Sequence, residues 1–119
     1  MAVELFTISL PSPPSVNNLF VNNRRGGRFP SARYKTWKAA ALQSLWTVRL
    51  PATIETPVAI DITVSTKCRL DLDNVPKALL DFLVQQRIIL NDNRAIVRRL
   101  SLGWSAEIPN VRISIYAHE

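Results

Sequence analysis

The stretch PVAIDITVST, residues 57–66, alternates between apolar and polar side chains along its length. Every second position carries a branched apolar residue, namely Val58, Ile60, Ile62 and Val64. Because successive side chains of a strand point to opposite faces of a sheet, this alternation predicts a β-strand that buries one face. The strand therefore belongs to a sheet whose other face can meet solvent.

A helix is predicted a few residues downstream, over about residues 75–86. Pro76 fits its first turn, where the missing N–H would have no partner within the helix. The apolar residues recur at the steps that one buried helix face requires; they are Val75, Leu79, Phe82 and Leu83.

Four further elements complete the pattern. A loop rich in proline and glycine separates the first predicted strand from the first predicted helix. The resulting order, β-α-β-α-β-β, predicts an α+β fold, in which a mixed sheet of about four strands has two helices packed on one face. We expect one domain over residues 1–119. The elements are strands over 3–9, 95–104 and 110–117, and a helix over 32–48 with Ser31 as its N-cap.

Basic residues dominate the charge of the chain. Fifteen Lys and Arg against nine Asp and Glu give a net charge of +6 at pH 7, and eleven of the fifteen are arginine. The planar guanidinium matches phosphate well, so the composition points to nucleic acid and, less directly, to an acidic membrane surface. No apolar run reaches the roughly 20 residues that span a bilayer, and the N-terminus does not resemble a signal peptide. We therefore expect a cytoplasmic protein without a membrane partner.

Several kinds of chemistry are excluded by residue counts. One cysteine, Cys68, and one histidine, His118, cannot build an intrachain disulfide or the usual nitrogen and sulfur zinc site. His118 is the penultimate residue, so a Ser-His-Asp arrangement is not predicted either. The tryptophans fit core positions of helices and strands, and base stacking is not predicted for Trp37, Trp46 or Trp104.

The stretch RLDLDNVPKALLDFL, residues 69–83, gathers carboxylates in this basic chain. Asp71 and Asp73 lie where an extended segment meets the second helix, and a spacing of two in extended backbone points both side chains to one side. Lys77 follows one turn later, and Asp92 lies in the turn before the next strand. If that strand pairs beside the segment carrying Asp71, three carboxylates converge in an oxygen-only pocket that suits Mg²⁺ or Mn²⁺.

A simpler interpretation of these acids stays open. Aspartate and asparagine immediately before a helix are common caps, and the LNDNR turn around Asp92 has ordinary turn chemistry. Lys77 could form a surface pair with Asp81, four residues on. Three of only nine acids nevertheless lie at element junctions within about twenty residues of one another, in a chain that is otherwise basic. A metal that bridges carboxylates to phosphate would account for both features.

The same residues carry a resemblance to a known family. The run RLDLDNVPKALLDFL, followed by ILND about twenty residues after the first aspartate, resembles the motif of RusA-type Holliday junction resolvases. The N-terminal stretch ISLPSPPSVNNLF, the arginine-rich segment after it and the chain length are also similar to that family. The resemblance thus covers most of the chain.

The resemblance implies a function and a set of residues. It implies a homodimeric, Mg²⁺-dependent endonuclease, often carried by phages or prophages, that resolves four-way DNA junctions by paired strand cuts in recombination and repair. Mn²⁺ is expected to replace Mg²⁺, and no small-molecule cofactor is expected. By position, Asp71, Asp73 and Asp92 would be the metal-binding catalytic acids and Lys77 the catalytic lysine. Some members have two adjacent acids where this chain has Asn91 and Asp92, so Asp92 would serve alone.

Binding of the DNA backbone is predicted for a basic segment upstream of these acids. Residues 24–38 carry six basic side chains, which could instead be a solvated loop and helix face. Arg69, next to the acids, is a further candidate phosphate contact, and so are Arg98 and Arg99. The six are Arg24, Arg25, Arg28, Arg33, Lys35 and Lys38.

Two other functions remain open at this point. A non-catalytic basic module would bind nucleic acid and use its acids only as caps, although carboxylates that repel phosphate do not help such a module. A metal phosphodiesterase for small substrates would have no use for the arginine-rich segment.

Overall fold

A four-stranded mixed sheet forms the centre of the protein in the computed structural model, which describes residues 3–118. The predicted α+β class and the order of the main elements are confirmed. One small hairpin is added in the loop before the first helix. The elements are β1 (Glu4–Leu10), β2 (Phe20–Asn22), β3 (Arg28–Pro30), α1 (Ala32–Ser44), β4 (Val58–Ser65), α2 (Pro76–Gln85), β5 (Val97–Ser105) and β6 (Val111–Ala117).

The strands of this sheet follow the spatial order β1-β6-β4-β5. β6 runs antiparallel to β1 and to β4, whereas β5 runs parallel to β4. A parallel pair needs a crossover connection, and α2 supplies it. The chain therefore leaves the carboxyl end of β4, passes through α2 and returns to the amino end of β4 before β5 begins.

One face of the sheet carries the hydrophobic core. The alternation predicted for β4 is confirmed, because its apolar residues are buried and Asp61 between them is exposed. Both helices contribute to the same core, α1 through Trp37 and Ala41 and α2 through Leu79 and Phe82. The buried strand residues are Phe6, Ile8, Leu10, Val58, Ile60, Ile62, Val64, Val111, Ile113 and Ile115.

The two helices begin where the sequence predicts. The Ser31 hydroxyl accepts a hydrogen bond from the Tyr34 amide at 3.0 Å, which confirms the N-cap of α1. Pro76 opens α2 as expected. The first helix ends at Ser44, so the prediction that it reaches residue 48 is wrong. The Leu45 amide bonds to the Leu42 carbonyl, three residues back, and the chain continues in tight turns.

The hairpin of β2 and β3 lies in the segment that the sequence predicted to be a loop. Its tip closes through hydrogen bonds between Asn23 and Gly27, and between Gly26 and Asn23, each 3.0 Å long. Gly26 and Gly27 have φ angles of 93° and 83°, a region that side chains disfavour, which is why two glycines stand there. The Ser31 hydroxyl donates to the Asn18 carbonyl at 2.7 Å and ties the base of the hairpin to α1.

The tryptophans do not all occupy the core. Trp37 is buried as predicted, donates its indole N–H to the Pro11 carbonyl at 2.9 Å and contacts the Phe82 ring edge-on at 5.6 Å. Trp46 is 77% exposed and Trp104 is 44% exposed, so the core prediction is wrong for both. Trp46 lies beyond the end of α1, and Trp104 lies on the outer strand β5. Among residues 3–118, no helix is long and apolar enough to cross a membrane.

Candidate active site

The acidic motif lies in the connection between β4 and α2. Asp71 is extended, with φ −70° and ψ 150°, and residues Leu72–Asn74 form a single 3₁₀ turn directly after it. The Asn74 amide closes this turn by bonding to the Asp71 carbonyl at 3.0 Å. The expectation that Asp71 and Asp73 share an extended segment is therefore wrong, because Asp73 is already inside the turn. Both still precede the first residue of α2, Pro76.

Neither of these aspartates caps a helix through its side chain, although Asp71 occupies the N-cap position of the 3₁₀ turn. No side chain caps the 3₁₀ turn or α2 through a hydrogen bond. Asp71 and Asp73 are exposed, and neither side-chain carboxylate accepts a hydrogen bond or forms an ion pair with any residue that the structure describes. The capping interpretation therefore leaves both carboxylates unexplained. They are available to bind something outside the chain.

Asp92 is equally free of a structural role. The turn around it is held by its neighbours, since the Asn91 side chain accepts from the Asn93 amide and the Asn93 side chain accepts from the Ala95 amide, both at 3.0 Å. Asp92 itself is exposed and has no hydrogen bond or ion pair within residues 3–118. Turn chemistry thus explains the two asparagines and leaves the aspartate between them without a partner.

The three carboxylates do not converge within one chain. The Ile54 amide bonds to the Ile88 carbonyl and the Leu90 amide to the Ile54 carbonyl, both at 2.9 Å, so the chain approaches Asp92 beside the segment that precedes β4. Asp71 instead follows the opposite, carboxyl end of β4. The helix α2 that separates the two ends is about 15 Å long.

The expected convergence is consequently not found among residues 3–118. Within that part of the chain, no group of three or more His, Cys, Asp or Glu side chains could hold a metal ion. The physical reason is the parallel pairing of β5 with β4, which places the amino end of β5, and with it Asp92, at the far end of the sheet from Asp71.

Lys77 is bound to its own helix in this structure. Its ammonium group donates to the Asp81 carboxylate at 3.2 Å, the surface pair that the sequence left open as an alternative. Such an exposed pair is worth only about 0.3–0.5 kcal/mol, and lysine preceding aspartate is the weaker polarity.

Asp81 also lies near Tyr34 of α1. Burial, and secondarily that carboxylate, raise the pKa of the Tyr34 phenol, while a hydrogen bond from Gln85 acts in the opposite direction.

The six basic residues of the segment 24–38 have no acidic partners. Arg24, Arg25 and Arg28 lie on the tip and second strand of the hairpin, and the other three lie on α1. Among residues 3–118, one ion pair is formed, between Lys77 and Asp81. None of the six basic side chains therefore has its charge neutralised by an acidic neighbour in that part of the chain. Two of them lie over aromatic rings. The guanidinium carbon of Arg28 is 5.0 Å from the centre of the Phe20 ring, and the ammonium nitrogen of Lys38 is 4.1 Å from the centre of the Tyr34 ring.

Arg69 lies beside Trp104, for which the sequence predicted a core position. A shallow cavity of about 400 Å³ is lined by Arg69, Leu70 and Cys68 on one side and by Trp104 and Thr66 on the other. Leu70 immediately precedes Asp71, so this cavity adjoins the acidic motif. The half-exposed Trp104 was not foreseen because alternation along a strand cannot reveal that the strand lies at the edge of a sheet.

Unpaired arginine and lysine side chains together with free carboxylates are the features expected of a protein that binds nucleic acid and acts on it. The family model described as Endodeoxyribonuclease RusA matches residues 11–116. The chain therefore belongs to the RusA endodeoxyribonuclease family, which confirms the resemblance seen in the sequence.

Two relatives support this membership. A protein of Aquifex aeolicus (strain VF5), named crossover junction endodeoxyribonuclease RusA, is 30% identical over 116 residues, which cover 92% of this chain and 90% of the relative. A protein of the same name from Escherichia coli O139:H28 (strain E24377A / ETEC) is 31% identical over 100 residues, or 82% of each chain. In both comparisons the similarity covers more than four fifths of this chain and of the relative.

Proposed function

We propose that this protein is an endodeoxyribonuclease that resolves four-way DNA junctions. The observation that carries the proposal is the set of three exposed aspartates, Asp71, Asp73 and Asp92, whose carboxylates have no hydrogen-bond or ion-pair partner among residues 3–118. Membership of the RusA family supports DNA as the substrate, and the names of both relatives refer to crossover junctions. The unneutralised basic segment supports binding of a polyanion.

We propose that Asp71, Asp73 and Asp92 hold Mg²⁺, with Mn²⁺ as a substitute. Carboxylate oxygen is the donor that these ions prefer, and no thiolate or imidazole competes at these positions. A divalent ion bound there supplies a Lewis acid and a source of hydroxide for attack on the phosphodiester. The chemistry of the donors fits such an ion, whereas one chain alone does not bring all three donors together.

The neighbouring basic residues are proposed to position the DNA. Lys77 can leave its weak pair with Asp81 and offset charge on the reacting phosphate. Arg69 is exposed one residue before Leu70 and can bind the adjacent phosphate. The segment 24–38 is proposed to follow the backbone further away, so that it supplies affinity without reading bases.

A homodimer is proposed as the working unit. Resolving a four-way junction into two duplexes requires two symmetric cuts, and one chain contains one acidic motif and no internal repeat. A closed two-fold pair is the commonest oligomer and matches the approximate symmetry of the junction.

A non-catalytic basic module is the second candidate. It predicts that the protein binds branched DNA and never cuts it, with or without a metal. The free state of the three aspartates favours the nuclease, because a pure binder gains nothing from carboxylates that repel phosphate. A phosphodiesterase for small substrates is disfavoured by the six unpaired charges of the segment 24–38. Incubation of a labelled four-way junction with the purified protein, with Mg²⁺ or with EDTA, separates these candidates.

Removal of the metal should stop cleavage and leave binding in place. We expect Mg²⁺ and Mn²⁺ to support cutting, whereas Ca²⁺ should support binding alone because it is larger and less strict about octahedral geometry. Gel-shift and cleavage assays on one junction, with each ion in turn, measure both properties. Cleavage at an undiminished rate in excess EDTA would contradict a metal mechanism.

Loss of charge at the hairpin tip should weaken binding of every DNA sequence equally. In the double variant Arg24→Gln/Arg25→Gln, we expect the slope of log affinity against log salt to become shallower by up to about 1.8, since each phosphate contact contributes about 0.9. The control is Arg49→Gln, an exposed arginine outside the segment. Equal slopes for the double variant and the control would show that the hairpin does not touch the backbone.

A further inference from the structure

A free strand edge lies on the side of the sheet that ends with β1. This strand, Glu4–Leu10, has β6 as its one neighbour in the sheet, so its other edge has no strand partner within residues 3–118. Natural proteins usually protect such an edge with lysine, proline or a covering element, because its free N–H and C=O groups invite pairing with an extended chain. β1 contains neither lysine nor proline, and its single charge is Glu4 at its beginning. The edge is therefore able to accept a further strand.

Two cavities follow one another along this edge. The first has a volume of about 480 Å³ and touches residues 9–11, and the second has a volume of about 420 Å³ and touches residues 7–9. Successive residues of a strand point to opposite faces, so a cavity that touches three in a row lies across the edge of the strand. We call the two cavities together the β1 groove. Its opposite wall consists of Ala40 and Ser44 of α1 and of Thr47 and Val48 just after that helix.

The spacing of the two cavities matches that of alternate side chains on a strand. One cavity is centred on residue 10 and the other on residue 8, so they are offset by two residues along the chain. At about 3.4 Å per residue this offset is about 7 Å, the repeat of side chains on one side of a strand. When a peptide adds to a sheet edge, main-chain hydrogen bonds supply affinity and pockets for alternate side chains supply selectivity. The β1 groove offers both.

The β1 groove is basic, and its two cavities differ in polarity. Arg112 of β6 lines both cavities, whereas no Asp or Glu lines either. Arg112 forms no ion pair among residues 3–118, so its guanidinium is available to a carboxylate, which it binds well. The second cavity is polar through the hydroxyl groups of Ser9, Ser44 and Thr47. The first is mostly apolar, and its apolar residues include Leu10, Pro11, Ile108, Pro109 and Val111.

We propose that the β1 groove binds an extended acidic peptide of a partner protein, which adds to the sheet as a strand beside β1. An acidic residue of the peptide pairs with Arg112 in the second cavity, and an apolar residue two positions away enters the first. The groove contains none of the three candidate catalytic aspartates and no residue of the basic segment 24–38. Peptide binding therefore adds a contact with another protein to the proposed nuclease and does not depend on cleavage.

Two other occupants fit the β1 groove less well. Duplex DNA would meet a single arginine between partly apolar walls, and its backbone has no N–H and C=O groups to pair with a strand edge. A second copy of this chain, pairing through its own β1, would offer one acid, Glu4 at the end of the strand, and would add a second unpaired Arg112. An acidic peptide supplies both the backbone pattern and the opposite charge.

Selection from a display library of short random peptides, against the full-length protein, supplies the probe. We expect the enriched peptides to share an acidic residue and an apolar residue two positions apart. Fluorescence anisotropy of the best peptide, labelled with fluorescein, measures its affinity. Arg112→Gln should weaken binding about tenfold or more, because a charge-assisted hydrogen bond is lost. Arg87→Gln, an exposed arginine that lines neither cavity, should bind like the wild type. A selection that enriches no peptide, or equal affinities for Arg112→Gln and wild type, overturns the proposal.

Filling the first cavity tests the groove by shape and leaves its charge unchanged. Ala40→Phe places a ring in that cavity, and we expect it to abolish binding of the selected peptide. The matched control is Ala39→Phe, since Ala39 is equally exposed on the same helix and lines neither cavity. Circular dichroism confirms that both variants fold, and junction cleavage should be unchanged in both. Equal peptide affinities for the two variants would mean that the peptide binds elsewhere, and the proposal would be wrong.

Amide hydrogen exchange shows whether the bound peptide forms a strand. Alternate amides of β1 should become protected on binding, because every second residue of an edge strand points its N–H outward, whereas amides of β5 should not change. Unchanged exchange throughout β1 would contradict strand addition.

The same pair of alanine variants identifies a different occupant of the β1 groove. Loss of junction binding in Ala40→Phe, with binding kept in Ala39→Phe, would assign the groove to DNA. Dissociation of a dimer in sedimentation experiments by Ala40→Phe, and not by Ala39→Phe, would assign it to a second copy. Either result would overturn the peptide proposal. An inactive wild-type nuclease that still binds the selected peptide would count against the proposed function alone.

Discussion

The rate of cleavage of a four-way junction should fall by at least about 10²-fold when Asp71, Asp73 or Asp92 is replaced by asparagine. Removing one group that stabilises charge in a transition state typically lowers the rate by about that factor. Asparagine keeps the shape of the side chain and removes its charge. Junction binding should persist or tighten, because a negative charge that faces phosphate disappears. Single-turnover cleavage and gel-shift assays on the same junction measure the two effects.

The control for these variants is Asp61→Asn. Asp61 is an exposed aspartate on the side of β4 that faces away from the core, so its loss should leave cleavage unchanged. None of the three variants should lose stability, since none of these carboxylates has a hydrogen-bond or ion-pair partner in the part of the chain that the structure describes. Wild-type cleavage by any one of them would remove that residue from the site.

Heterodimers of wild type and Asp71→Asn should convert a supercoiled plasmid with an extruded cruciform into nicked circles. Wild-type dimers should yield linear molecules, because two live sites cut two opposite strands of the four-way junction. The heterodimer keeps one complete site whether the acids come from one chain or two, so a single cut is expected in either arrangement. Purification through two different affinity tags isolates the mixed species, and an agarose gel distinguishes the products.

The control for this experiment is a tagged wild-type dimer purified in the same way, which should linearise the plasmid. Linear product from the heterodimer at the wild-type rate would mean that one site makes both cuts, and the two-site model would be wrong. Supercoiled DNA left intact would mean that both sites must be complete before either can cut.

Local patterns predicted the elements well, for identifiable reasons. Alternation marked β4 because one face of that strand is buried against the helices, and Ser31 marked the start of α1 because its hydroxyl satisfies a free amide there. The acidic motif was also found from sequence, since carboxylates at element junctions stand out in a basic chain. The absence of capping hydrogen bonds from this motif is visible only in the three-dimensional structure, because an Asn or Asp before a helix has the same sequence pattern whether or not its side chain caps the helix.

Properties that depend on the order of strands could not be predicted. The exposure of Trp104 and the distance between Asp71 and Asp92 both follow from the parallel pairing of β5 with β4 at the edge of the sheet. Nothing in the residues of β5 states which strand it joins, or in which direction. The end of α1 at Ser44 was missed for a related reason, since the apolar spacing of Leu45 and Val48 continues through turns that are not helical.

The parallel crossover through α2 has a consequence for the cell. It holds Asp92 near one end of β4 and Asp71 near the other, so a single chain does not bring the three carboxylates together among residues 3–118. If a second subunit supplies the third carboxylate, activity depends on the concentration of the protein. Turnover per chain should then fall steeply on dilution below the dissociation constant of the dimer. A single subunit that encounters duplex DNA would then leave it uncut.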